Sequence, residues 1–223
     1  MSGAAFFDLD RTLLRRSSTL ALAPAFRRHG VITRTQVAKA AFWQLLFVLR
    51  GTSRERVRAA SEEGLMLLRG FSPRQMHELV TESLEPVLRP LVYDEALGLV
   101  AEHRGRGEPS YIVSAALQEV VDAMADDLGF DGALGTVCEV ADGVYTGRGI
   151  RSLHGENKAA AVRELAAERG YDLETSTAYS DSHTDLPFLE VVGKPVAVNP
   201  DRELRRVAAD RGWPVLRFNR RAA

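Results

Sequence analysis

This chain is poor in cysteine, poor in lysine and nearly free of net charge. Cys138 is the single thiol among 223 residues, so it can close no intrachain disulfide and offers no cysteine-based zinc site; a reducing, cytoplasmic setting is expected. The 29 basic and 30 acidic residues cancel to −1, which removes bulk charge as a reason to expect nucleic acid. The longest apolar run, residues 40–49, is well short of the roughly 20 residues that cross a bilayer, so no transmembrane segment is expected. The first ten residues lack the basic-then-apolar pattern of a secretory leader. Among the 29 basic residues only Lys39, Lys158 and Lys194 are lysines. The rest is ordinary: 45% hydrophobic and 26% charged residues fit a globular protein with one large domain, or a domain with a smaller companion.

The pattern along the chain is α/β. A short apolar run at 4–7 reads as a buried strand that delivers Asp8, Asp10 and Thr12 at its carboxyl end. From about 18 to 90 the apolar spacing is helical, broken at Gly30, Gly51 and Gly70, with Thr52/Ser53 and Ser72-Pro73 as start signals; this predicts a four-helix insert. Beyond residue 90, strands expected near 111–113, 134–139, 176–179, 195–198 and 214–218 are interleaved with helices, with a hairpin turn at Asp142-Gly143. The expected fold is a Rossmann-like open, mainly parallel sheet with helices on both faces. Residues 1–16 and 91–223 would form its core, and 17–90 a helical cap. The 40–49 run reads as a buried cap helix, with a homodimer contact as an alternative.

Polar residues gather where these elements begin or end. Two carboxylates as close as Asp8 and Asp10 repel unless a cation or protons relieve them, and hard oxygen ligands point to Mg²⁺. Ser114, after the strand YIV and ahead of a helix, can hold an anion with its hydroxyl and the N–H groups that follow, beginning with Ala115. Lys158 supplies a compact ammonium near a helix start, and Asp181 and Asp185 follow the strand STAYS. Each feature alone has an ordinary reading, as a turn, an N-cap or a solvated lysine. Together, in the order acid pair, hydroxyl, lysine, acid pair, they read as a site.

The segments FFDLDRTLL, YIVSAAL, GENKAAAV and YSDSHTDLPFLE resemble the four motifs of the haloacid dehalogenase (HAD) superfamily. The insert resembles the C1-type cap of its phosphoserine phosphatase-like branch, and the ending VAVNPDRELRRVA resembles that of the subfamily IB hydrolases. The resemblance implies that Asp8 is a nucleophile forming an aspartyl-phosphate and that Asp10 is the general acid and base. It further implies that Mg²⁺ is held by Asp8, the backbone carbonyl of Asp10 and Asp181, with Asp185 in support. Ser114, Ala115, Thr12 and Lys158 would then bind the phosphoryl group, and Asn199 would border the site or serve its own turn. The implied activity is phosphomonoester hydrolysis on a small phosphorylated metabolite. Transfer to an acceptor other than water is the alternative within enzymes, and a phospho-accepting signalling domain the alternative outside them.

Two departures stand out. Arg11 occupies a position where many members have Gly or Ser, and could narrow the pocket or touch an anionic substrate. Phosphoserine phosphatases carry a substrate-binding acid shortly after the first motif; residues 14–18 here are Leu-Arg-Arg-Ser-Ser, which counts against phosphoserine. The arginines at 54, 56 and 58 read as a solvated cap surface, and the arginine-rich end after 202 is interrupted by acids.

Overall fold

A computed structural model describes residues 2–32 and 64–219. β1 (Ala5–Phe7) is buried along its whole length. It pairs in parallel with β2 (Ser110–Leu117) on one side and β5 (Thr177–Ser180) on the other. A strand covered on both faces shows no polar side, which is why AFF is a continuous apolar run. Its side chains still alternate in direction. Ala5 and Phe7 join one hydrophobic cluster with Ile112, Tyr179 and Val198, while Ala4 and Phe6 join another with Tyr111, Val113 and Ala197.

Among the described residues the sheet has seven strands in the order β4-β3-β2-β1-β5-β6-β7. The remaining strands are β3 (Gly132–Ala141), β4 (Val144–Arg151), β6 (Lys194–Val198) and β7 (Val215–Leu216). Every neighbouring pair is parallel except β3 and β4. The helices of this part are α3 (Asp94–Gly105), α4 (Gln118–Leu128), α5 (Glu156–Arg169), the short α6 (Leu186–Leu189) and α7 (Arg202–Arg211). The chain builds outward from β1 to β4, then restarts at β5 on the other side. That switch between β1 and β5 leaves a crevice at their carboxyl ends, where open α/β sheets bind ligands. Phe7 stacks on Tyr179 across the same boundary, with ring centroids 4.4 Å apart and 13° between planes. Such a contact contributes about 0.5–1.5 kcal/mol, and here it joins the two strands just before each delivers an acid.

The described parts of the insert include α1 (Ser18–Arg28), a helical turn at 64–66 and α2 (Pro73–Ser83). Ser72 and Gln75 close a reciprocal capping box at the start of α2. After α2 the helix widens to a π turn at Leu84–Leu88, where Pro86 has no N–H for a helical bond. Leu22, Phe26, Met76 and Leu79 are buried in the same cluster as Phe7. The 40–49 run, with the dimer contact expected of it, and the arginines at 54, 56 and 58 lie outside the described residues. Among the described residues no helix is long and apolar enough to cross a membrane.

Four local expectations are refined. At Asp142-Gly143 both residues have left-handed backbone, φ 51° and 78°, as a type I′ hairpin requires. The strand expected at 111–113 continues to Leu117 through an irregularity. The helix expected from 184 is a 3₁₀ turn, His183–Asp185, followed by one turn of α6. The strand expected at 214–218 shortens to two residues, because the Phe218 and Asn219 N–H groups donate to the side chains of Asn199 and Glu95 instead of a ladder.

Candidate active site

Asp8 is the first residue past β1, and its N–H still donates to the Tyr179 carbonyl at 2.9 Å. Asp181 follows β5 directly, so the two acids leave adjacent parallel strands at the same end of the sheet. Lys158 enters from α5, whose start is set by Gly155 in a left-handed conformation, φ 53°. Its Nζ donates to Asp8 Oδ1 at 2.6 Å and to Asp185 Oδ2 at 2.7 Å, and sits 4.5 Å from the centre of the Phe188 ring. Ser180 Oγ donates to the same Asp185 oxygen at 2.8 Å. The lysine side chain is 2% exposed.

The charge arrangement is unbalanced. Burial pushes Asp8 above the ordinary carboxylate range, with Lys158 opposing and Asp185 adding to the rise. Burial, and then the charge of Asp8, push Asp181 up as well, opposed by Arg11. Burial alone would lower Lys158, but Asp185 and Asp8 outweigh it and push it up to about 12. Arg11 Nε is 3.6 Å from Asp181 Oδ2, and its side chain is 54% exposed, so solvent screens much of its help. Among the described residues no three His, Cys, Asp or Glu side chains form a ready-made metal cage. The oxygen donors that are present fit a hard divalent cation whose shell is completed by backbone carbonyl and water. The carboxylates held above their ordinary range are where such a charge is wanted.

The other candidates fall into two groups. Ser114 and Thr12 are buried, at 3% and 1% exposure. The Thr12 hydroxyl has no hydrogen-bond partner among the described residues, a cost of burial that a bound ligand could relieve. Ser114 lies inside β2, which runs on to Leu117, and not just past the strand as expected; its Oγ accepts the Ala116 N–H at 3.2 Å. The backbone expected to hold an anion is therefore an irregular strand, with Ala115 in its middle. Asp10 is not in an extended strand facing Asp8. It sits in the turn beyond β1, where its Oδ1 accepts the N–H of Ser18, the first residue of α1, at 2.8 Å. Burial raises Asp10 too, opposed by that Ser18 bond. Arg11 itself has φ 67°, an uncommon conformation for a side chain of this size.

Asn199 points elsewhere. Its amide donates to Tyr93 Oη and to the Phe218 carbonyl, each at 3.2 Å, and accepts the Phe218 N–H at 3.1 Å. These bonds hold the end of the described chain against the start of α3.

The chain matches the haloacid dehalogenase-like hydrolase family over residues 5–190. It belongs to that family. A probable phosphatase of Mycobacterium tuberculosis is 44% identical over 217 residues, 97% of this chain and 76% of that protein. A phosphoserine phosphatase of the same organism is 36% identical over 227 residues, all of this chain and 74% of that protein. A crystal structure of a Bordetella pertussis protein of unknown function superposes with TM-score 0.83 at 32% identity, covering 97% of this chain and 98% of that one.

Sequence reasoning passed over one residue of this hydrolase that supports its fourth motif from the start of α7. Asp201 Oδ2 accepts both the N–H and the Nδ1 of His183 at 2.9 Å, and its Oδ1 accepts the Leu204 N–H at 2.7 Å. Its own N–H donates to the Asp181 carbonyl at 2.8 Å. Asp201 thus caps α7 and fixes the Asp181–Asp185 loop at once. The only signal for it in the sequence is the helix start at Asn199-Pro200-Asp201.

Proposed function

We propose that this hydrolase is a magnesium-dependent phosphatase that cleaves a small phosphomonoester through an aspartyl-phosphate on Asp8. The observation that carries the reading is Lys158 Nζ held between Asp8 and Asp185, at 2.6 and 2.7 Å, with Asp181 beside them and little other positive charge. A site with surplus buried carboxylate suits a substrate whose binding comes with a divalent cation.

In the first step an Asp8 carboxylate oxygen attacks phosphorus and the ester P–O bond breaks; the leaving oxygen takes its proton from Asp10. Burial holds Asp10 above the ordinary carboxylate range, which favours the protonated form this step needs. In the second step Asp10 takes a proton from water, the water oxygen attacks phosphorus, and the bond to Asp8 breaks to release inorganic phosphate. Lys158, Ser114 with the Ala115 backbone, and Thr12 hold the phosphoryl oxygens and orient them for in-line displacement. Mg²⁺, held by Asp8, Asp181 and the Asp10 carbonyl with Asp185 in support, would supply the charge that lets a carboxylate approach a phosphate dianion. Residues 17–90 act as a cap over a core of 1–16 and 91–223, and their closure excludes water and selects the substrate.

The names of the relatives support a phosphomonoester as the substrate class. Phosphoserine itself is not proposed, because 14–18 offers no carboxylate for its ammonium group. The experiment is hydrolysis of an aryl phosphate with and without Mg²⁺. The expected outcome is metal-dependent release of free phosphate with no added acceptor, abolished in Asp8→Asn. Metal-independent hydrolysis, or full activity in that variant, would overturn the reading, and phosphate release only with an acceptor would make the enzyme a phosphotransferase.

A further inference from the structure

β2 and β3 pair in register at Val113 with Leu134 and again at Leu117 with Thr136. Three residues of β2, Ser114 to Ala116, therefore face the single Gly135 of β3. A bulge of this kind takes backbone groups out of the ladder and re-aims side chains. Three contacts bolt it to β3. The Gln118 side chain accepts the Gly135 N–H at 2.6 Å and donates to the Ala133 carbonyl at 3.1 Å. Gly135 allows the close approach, since a Cβ there would lie 2.7 Å from the Cα of Gln118. The third contact is Thr136 Oγ1, which donates to the Ala115 carbonyl at 2.8 Å.

The same Thr136 oxygen accepts the Leu153 N–H at 3.3 Å. Leu153 stands two residues before Gly155, which starts the helix that carries Lys158. One hydroxyl, 1% exposed as a residue, thereby joins the strand segment that presents Ser114 to the loop that launches Lys158. These are the two sides between which a phosphoryl group would lie.

We propose that Thr136 is a positioning residue for phosphate binding: its hydroxyl sets the spacing between the Ser114–Ala115 segment and the Lys158 helix. The proposal rests on the phosphatase reading of the site. Without the hydroxyl, a half-buried carbonyl and a buried N–H lose their partner, and the N–H can recover one only by moving.

Two substitutions separate this role from packing. Thr136→Val keeps the volume and removes the hydroxyl; Thr136→Ser keeps the hydroxyl and removes a methyl. The readouts are the inhibition constant of inorganic phosphate, KM and kcat for an aryl phosphate, and the melting temperature. For Thr136→Val the phosphate inhibition constant and KM are expected to rise about tenfold, the loss of one hydrogen bond's worth of placement. For Thr136→Ser both should stay within about twofold of wild type, even as its melting temperature falls for the missing methyl. If the valine variant does not fold, Thr136→Ala removes the same hydroxyl and should show the same loss. Wild-type phosphate affinity in a hydroxyl-free variant, or losses that follow melting temperature across the series, would overturn the proposal. Wild-type protein that neither hydrolyses aryl phosphate nor is inhibited by phosphate would instead overturn the phosphatase reading.

Discussion

Lys158 and Asp8 lie 150 positions apart in the chain, yet the lysine Nζ is 2.6 Å from the carboxylate of the aspartate. The bond exists because β1 ends at the centre of the sheet and α5 begins beside that end. The lysine has room only as a slim stem, with Asp185 at 2.7 Å and the Phe188 ring at 4.5 Å.

That confinement makes Lys158→Arg a test of shape at constant charge. A planar guanidinium needs more width and a different fork of donors. The expected outcome is a kcat reduced by about two orders of magnitude, the scale of removing one electrostatic stabiliser, with circular dichroism unchanged. Wild-type turnover would show that the scarcity of lysine elsewhere in the chain has no bearing on this position.

Asp201→Asn leaves one acceptor oxygen where two are used, so the variant cannot serve both His183 and Leu204. Stability should fall by about 1 kcal/mol. Mg²⁺ affinity, measured by calorimetry, should weaken as well, because His183 is no longer anchored and the Asp181–Asp185 loop that carries two of the acids loosens. Unchanged Mg²⁺ binding would limit Asp201 to capping α7.

These two residues mark what was legible in the sequence. Lys158, Asp8, Asp181 and Asp185 could be read because each sits at the end of a short periodic segment, and strand and helix ends are what periodicity locates. Asp201 carries no such mark, since nothing local says that its carboxylate reaches back to His183. The bulge at Ser114 was missed for a related reason: YIVSAAL carries no glycine or proline, and the irregularity is imposed from β3 through Gly135 and Thr136. For Asn199 the analogy leaves two readings, a border of the site or a turn of its own, and neither names the bonds its amide makes to Tyr93 and Phe218.

Asn199→Asp accordingly separates stability from catalysis. It removes the donors to Tyr93 and Phe218 while keeping an acceptor for the Phe218 N–H. We expect a loss of about 1–2 kcal/mol in denaturant unfolding and aryl phosphate kinetics within about twofold of wild type. A selective fall in kcat with unchanged stability would return Asn199 to the site.

The raised carboxylates give a pH dependence with a definite sign. In metal-free protein Asp8 and Asp181 have folded-state values above the unfolded value of 3.8, about 7 and about 8. The native state then binds more protons than the unfolded state across that interval. Their contribution is fully present below about pH 4, and it is lost as pH rises through the folded values. With chelator present, the melting temperature should therefore fall between pH 5 and 8, and Mg²⁺ should raise it more at pH 8 than at pH 5. A Mg²⁺ effect independent of pH would contradict this placement of the cation.

The most direct test is rapid acid quench during turnover of a ³²P-labelled phosphomonoester, followed by peptide mapping. Label on the peptide that contains Asp8, released by hydroxylamine as an acyl phosphate would be and absent in Asp8→Asn, is the predicted result. Steady turnover with no label on the protein, or label on a peptide lacking Asp8, would contradict Asp8 as the residue that takes the phosphoryl group.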